Sequence, residues 1–199
     1  MKYTKALLLV AHPDDEAIFA GNLLFHHPDF DWHIACASDV SSERLVGWRR
    51  SIDCLRERGV QVTNAIQFGL TDVGSVPLIP EWSHALRMRL LGLLQDHDYD
   101  VIFTHNREGD YGHTQHAEVA RIALSMADCP VWECVYPYAE HEQYRGENVR
   151  TYPPHDDKFL LLRNAYPAES DLIHAAQPAL IDWAFAGRET WTSDERWPT

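Results

Sequence analysis

The sequence predicts an α/β fold in three layers, a mostly parallel central sheet with helices on both faces. Three observations predict it. Short apolar runs alternate with helix-period stretches over most of the chain, and 199 residues suit one domain with a sizeable core. The residues that carry chemistry also fall just after apolar runs, where open α/β sheets place their reactive groups.

Residues 5–10 (KALLLV) run directly into AHPDDE, the pattern of a central strand followed by a loop. Residues 17–26 can form a short helix, 32–37 a second strand, and 38–42 a polar loop. Leu45, Trp48, Ile52 and Leu55 recur at three- and four-residue intervals, with Arg44, Arg49, Arg50 and Arg56 between them. That spacing is an amphipathic helix ending near Gly59. Residues 65–68 are a short strand before GLTDVG. Trp82, Leu86, Leu90 and Leu93 mark a helix reaching about His97, and 100–104 a fourth strand. A helix then starts near His113 or Thr114 and turns Val119, Ile122 and Ala123 inward, and 132–135 is a fifth strand.

Residues 136–155, rich in Pro, Tyr and charge, suit an edge strand or a loop over the site. Residues 170–186 read as a helix despite Pro178, and the tail TWTSDERWPT docks by its Trp side chains or frays. With no internal repeat and no linker-like run, residues 1–199 read as a single Rossmann-like domain, with 136–157 as a candidate substrate-covering segment.

Seventeen basic against 30 acidic residues give a formal net charge of −13, a surface that does not invite a phosphate backbone. Nucleic acid is therefore not an expected partner. The four cysteines, at 36, 54, 129 and 134, form no CxxC pair and read as plain thiols. The amino-terminal apolar run is too short for a membrane helix and lacks a small-residue cleavage pattern. The expected setting is cytoplasmic, without membrane insertion; a homo-oligomer is left open.

AHPDDE places one imidazole and three carboxylates within five positions, with Pro13 restricting the backbone. Such a cluster is costly unless solvent, helix-terminal amides or a cation compensates it. One reading makes His12 and one Asp ligands of a divalent metal, with another Asp handling protons. The other makes Asp14 or Asp15 a helix cap, with His12 incidental. Local sequence does not choose between them, nor between a structural and a site-supporting role for Glu16.

The second cluster follows residues 101–104: His105, Asn106, then Tyr111, His113 and His116 in YGHTQH. Two histidines three apart at a helix start share a face, yet packed histidines explain that spacing equally well. Both clusters, however, follow strands on what should be the same sheet edge. His12, Asp15 and His116 would then supply two nitrogens and one carboxylate, leaving a position for water, as in catalytic zinc sites. His105 and Asn106 adjoin this centre and could support it, since metal-bound imidazoles need an acceptor for their other N–H. Tyr136, Tyr138 and His141 could form a substrate wall or a packed strand edge.

AHPDDE near the amino terminus and YGHTQH about a hundred residues later resemble the signatures of the LmbE-like or PIG-L family of zinc-dependent deacetylases. FGLTDVG and KFLLLRNAY resemble later segments of that family, so the likeness extends over most of residues 5–170. It implies His12, Asp15 and His116 as ligands of Zn²⁺, or of another divalent ion such as Fe²⁺. It implies Asp14 as general base, His113 and Tyr111 as partners of the reacting acyl group, and Asp72 as a carboxylate for sugar hydroxyls; Arg49, at the entrance or facing solvent, and His105 are further candidate substrate-binding residues. The implied function is removal of an N-acetyl or other N-acyl group from an amino sugar or its conjugate, a small-molecule substrate. Gln115 departs from the Asp or Asn often found between the two histidines, which puts the tuning of His113 in question. SDVSSERL and GWRRS also depart, which leaves open a non-sugar or aminoglycoside-like substrate, or an inactive metal- or carbohydrate-binding protein. A nucleotide-binding module is disfavoured because no glycine-rich phosphate loop follows the first strand.

Overall fold

Side-chain alternation along the first strand sets the layers. In the computed structural model, which describes residues 4–39, 42–74, 78–135, 149–167 and 189–193, strand β1 spans Lys5–Val10. Ala6, Leu8 and Val10 enter one buried cluster, and Leu7 and Leu9 the other. The first cluster is completed by helices α1 (Asp15–His26), α2 (Ser42–Glu57) and α5 (Asp156–Ala165). The second is completed by α3 (Pro80–Asp96) and α4 (Thr114–Met126). A three-layer α/β/α fold results, as the sequence pattern predicts.

The other strands are β2 (Asp31–Asp39), β3 (Val62–Thr71), β4 (Val101–Thr104), β5 (Val131–Val135), β6 (Val149–Tyr152) and β7 (Glu189–Thr192). Their order is β3-β2-β1-β4-β5-β7-β6. β1 to β5 pair in parallel, whereas β7 runs antiparallel to both β5 and β6. The chain progresses outward from β1 through β2 to β3, then restarts beside β1 at β4. Loops leaving β1 and β4 therefore diverge at a topological switch point, the crevice where open α/β sheets bind ligands.

Several bounds differ from the sequence pattern. β2 and β3 extend beyond the expected 32–37 and 65–68. α1 begins at Asp15 rather than at residue 17, because two acidic residues suit the positive end of a helix. α3 opens on Pro80, whose missing N–H costs nothing in a first turn. Residues 156–165 form a helix that periodicity alone did not assign. β6 supplies an edge strand within 136–155, and Trp191 of β7 is buried, which docks the start of the tail. The expected helix over 170–186, and Tyr136, Tyr138 and His141, lie outside the described residues. Among the described residues no helix is long and apolar enough to cross a membrane. The four cysteines form no disulfide, and Cys36 and Cys134 are buried.

Candidate metal centre and active site

The loop after β1 brings His12, Asp14 and Asp15 to the switch point, and the loop after β4 brings His105, Asp110, His113 and His116 against them. His12 Nδ1 lies 3.1 Å from His116 Nε2 and 3.3 Å from Asp15 Oδ2. His116 Nε2 lies 3.4 Å from Asp15 Oδ2, which closes a triangle. Zinc bonds of about 2.0–2.2 Å in tetrahedral arrangement demand ligand separations of roughly 3.3–3.6 Å. Two nitrogens and one oxygen at these spacings fit a divalent cation.

The tautomers agree. His12 directs its other nitrogen, Nε2, to Gln115 Oε1 at 3.0 Å, and His116 directs Nδ1 to Asp110 Oδ2 at 2.7 Å. Each ring thus donates outward and keeps a lone pair for the centre. Asp15, raised by burial, is carried well below the ordinary carboxylate range by His116 and His105 beside it. Asp15 is thus ionised, as a ligand must be. Two wider donor groups also gather here, His12 with His113 and His116, and Asp15 with His105 and His116, each set within 4.8 Å.

His105 has no side-chain exposure and bonds Asp110 Oδ2 through Nδ1 at 2.6 Å. A ring closed off from solvent supports the centre from below, the other role that the sequence allowed for it beside substrate binding. Burial lowers its pKa, but Asp110 and Asp15 outweigh this and push it up to about 10. The Ala11 N–H aimed at Nε2 at 3.0 Å asks instead for a lone pair there. A cation on Asp15 removes much of that carboxylate's pull, and the neutral ring that satisfies Ala11 is the form compatible with a loaded centre.

Asp110 went unrecognised in the sequence. Its φ of 61° is left-handed, and Gly109 before it has φ 86°. A Cβ on Gly109 would stand 2.3 Å from the His113 carbonyl oxygen, so only glycine permits this turn. Asn106 Oδ1 receives the amides of Glu108 and Asp110 and shapes the same loop. Arg107 pairs with Glu133 at the outer side.

Asp14 precedes α1 with φ 110°, a left-handed conformation that costs a residue with a Cβ on the order of 1–3 kcal/mol. This geometry decides the capping question: the Asp14 side chain makes no cap hydrogen bond to the helix. Its Oδ2 instead receives Arg44 Nη2 at 2.7 Å, and the same guanidinium bonds the Pro13 carbonyl at 3.0 Å. Burial raises the Asp14 pKa to about 8 against the opposing pull of Arg44, with Asp15 and Glu16 adding to the rise. Arg44, one of the arginines set between the apolar positions of α2, stands at the site because α2 starts beside the β1 loop.

His113 caps α4 and receives the Gln115 amide at Nδ1, 3.3 Å. Burial, His116 and His12 lower its pKa to about 4, so the ring is neutral. Tyr111 is half-exposed at the mouth, its ring 5.9 Å from His113 and 5.4 Å from His116. Burial, with Asp15 and Asp14, raises its pKa, which keeps the phenol a donor. Asp72, just after β3, lies 3.7 Å from both His12 Nε2 and Arg44 Nη1. Arg49 is exposed on α2 and lines a cleft with Asp53, Arg56 and Gln67, apart from these residues.

The Gln115 side chain does not face His113. Oε1 serves His12 and the Val73 amide, while Nε2 donates to Ser38 Oγ and the Thr71 carbonyl. One amide therefore ties His12 to the ends of β2 and β3.

Comparison with known proteins agrees with this architecture. Residues 7–127 match the GlcNAc-PI de-N-acetylase family, PIG-L. The chain belongs to that family. It is 29% identical over 131 residues to an uncharacterised protein of Acanthamoeba polyphaga mimivirus, covering 60% of this chain and 56% of that one. The chain thus spans little more than half the length of this curated relative. Among solved structures, N,N'-diacetylchitobiose deacetylase from Pyrococcus horikoshii superposes with a TM-score of 0.68 at 16% identity, over 96% of this chain and 83% of that one. GalB, the 4-carboxy-2-hydroxymuconate hydratase of Pseudomonas putida KT2440, gives 0.66 at 14% identity, over 98% of each chain. At these identities the two structures speak to fold, and this PIG-L fold carries both a deacetylase and a hydratase.

Proposed function

We propose that the chain is a zinc-dependent amidohydrolase that removes an N-acyl group, acetyl foremost, from an amino sugar or its conjugate. The triangle of His12, Asp15 and His116, with the Asp14 carboxylate beside it, is the observation that supports this reading most directly. A metal-binding protein needs the triangle, but it has no use for a buried carboxylate poised near neutrality next to it.

A divalent ion held by His12, Asp15 and His116 supplies Lewis acidity toward the acyl oxygen and acidifies water. Asp14 accepts the proton of the attacking water, and Arg44 fixes which carboxylate oxygen is available. Neutral His113 offers an N–H, and Tyr111 an O–H, to the negative charge gathering on the acyl oxygen. As the carbon–nitrogen bond breaks, Asp14 returns its proton to the departing amine, since a neutral His113 has none to spare. Asp72, with acceptor oxygens near the rim, is assigned to sugar hydroxyls.

An amine-release screen over N-acetylated amino sugars and their conjugates tests the reading, run beside Asp14→Asn with metal analysis. The variant should retain stoichiometric zinc and lose about 10²–10⁴-fold in kcat. Full activity in Asp14→Asn removes it as the base. Hydration of an unsaturated acid without any amine release would replace amide hydrolysis by the chemistry of the hydratase that shares the fold.

A further inference from the structure

We propose that Glu16 and Tyr166 form a brace that holds Asp14 in its left-handed backbone conformation, so that both act as positioning residues. The proposal rests on the reading of Asp14 as the base. Glu16 is fully buried beside Ser51, and each of its two oxygens accepts from a different part of the chain. Oε2 receives the Asp14 amide at 3.1 Å, and Oε1 receives the Tyr166 hydroxyl at 2.7 Å. Tyr166, at the end of α5, is 150 residues away along the chain and 1% exposed. Neither side chain belongs to the metal-donor sets, and neither reaches solvent.

A carboxylate buried this deeply is costly to keep, and an apolar residue of similar size would pack without that cost. What it gains here is control of one amide, the one belonging to the residue with φ 110°. At that amide Glu16 is the partner: the Asp14 side chain does not cap α1, and the Asp14 carbonyl is taken by the Ala17 and Ile18 amides. Arg44 holds the same stretch from the opposite side through the Pro13 carbonyl and the Asp14 carboxylate. Released at its amide, residue 14 would relax toward the extended conformation usual before a helix, turning the carboxylate toward the α1 amides and away from Arg44.

The far end of the brace is fixed by α2. A Cβ on Gly47 would stand 2.5 Å from Tyr166 Cδ1 and 2.6 Å from Cε1, so the tyrosine ring lies directly on the backbone of that helix. Gly47 is one turn beyond Arg44 on α2. One helix therefore sets both the guanidinium in front of Asp14 and the ring behind it.

Four variants test the brace: Glu16→Ala, Glu16→Gln, Tyr166→Phe and Glu16→Ala combined with Asp14→Asn. Glu16→Ala and Tyr166→Phe should bind zinc stoichiometrically and keep KM within about twofold, while kcat falls by about 10–100-fold, the usual penalty of a displaced reacting group. Glu16→Gln retains an acceptor for the Asp14 amide and should restore most of the rate. The loss should vanish when Asp14 is already Asn. Amide hydrogen exchange at Asp14, followed by NMR on the whole chain, should quicken in Glu16→Ala and Tyr166→Phe. Unchanged exchange, or an equal loss of kcat in the Asp14→Asn background, overturns the proposal. If Glu16→Ala does not fold, Tyr166→Phe, which removes one oxygen, carries the same expectations. If no N-acyl substrate is found, the exchange measurement still decides the brace, separately from the reaction assigned to Asp14.

Discussion

Replacing Asp110 by Asn probes how the centre is held. Asp110 Oδ2 accepts two imidazole N–H groups, from His105 at 2.6 Å and His116 at 2.7 Å, with all three side chains fully buried. Asparagine matches its size but not its charge. Hydrogen bonds to a charged partner contribute about 1.5–3 kcal/mol, and neutral ones about 1. The two bonds together lose about 1–4 kcal/mol. The part lost at His116 should appear as weaker metal binding, because that ring is no longer fixed with its lone pair inward. Partners of metal-bound histidines typically contribute about 10–100-fold in affinity. Competition with a chromophoric chelator gives the zinc Kd, and urea titration of the metal-free protein gives the remainder. Should zinc bind Asp110→Asn within twofold of the parent while stability alone falls, Asp110 merely shapes its loop.

Chelating the metal should lower the thermal midpoint. Free zinc at about 1,000 times Kd adds about 4 kcal/mol, or roughly 8–16 °C for a domain of this size; an unchanged midpoint with and without chelator would contradict a bound ion. Lys158→Met should cost about 3–5 kcal/mol in urea unfolding. It strands Glu189, whose carboxylate is 2.6 Å from Lys158 Nζ and also receives the Asn22 and Leu23 amides of α1. Adding Glu189→Gln should recover part of that loss, and its failure to do so would exclude the stranded charge as the cause. His33 should contribute a loss of stability in acid to the metal-free protein. Burial, helped by His97, holds the His33 pKa below its ordinary value, so below about pH 6.5 the unfolded chain takes a proton that the folded chain refuses. The His33 contribution is then complete above that pH and falls beneath it. Between pH 7.5 and 5 the urea midpoint of the parent should fall relative to that of His33→Gln, and a difference between the two that does not change with pH would place the proton elsewhere.

What was legible in the sequence shares a physical basis: it was local. Leu7 and Leu9 against Leu8 and Val10 report two-sided burial within six residues, and the crowding in AHPDDE is visible without knowing any partner. Asp110 was missed because its neighbours, Arg107, Glu108 and Tyr111, suggest an ordinary polar loop. Only left-handed φ angles at Gly109 and Asp110 turn its carboxylate under His105 and His116. The place of Arg44 was not legible for a different reason. Its spacing on α2 does fit a solvent-facing series, but its partner Asp14 lies 30 residues earlier. Gln115 looked like a defect beside His113, whereas its side chain serves His12, 103 residues distant. The antiparallel edge was illegible because Glu189–Thr192 is four residues long and has no pattern apart from the strands it joins.

Helix α1 has a thermodynamic consequence. Every residue from Asp15 to Phe25 is buried, with the sheet on one side and α5 against it. A rod enclosed in this way cannot rotate or slide to meet an arriving ion without opening the interior around it. Loading should therefore be nearly silent in heat capacity, unlike small zinc domains in which the ion drives the chain to fold. Titration calorimetry across several temperatures should return a near-constant enthalpy, and circular dichroism should be the same before and after the ion is added.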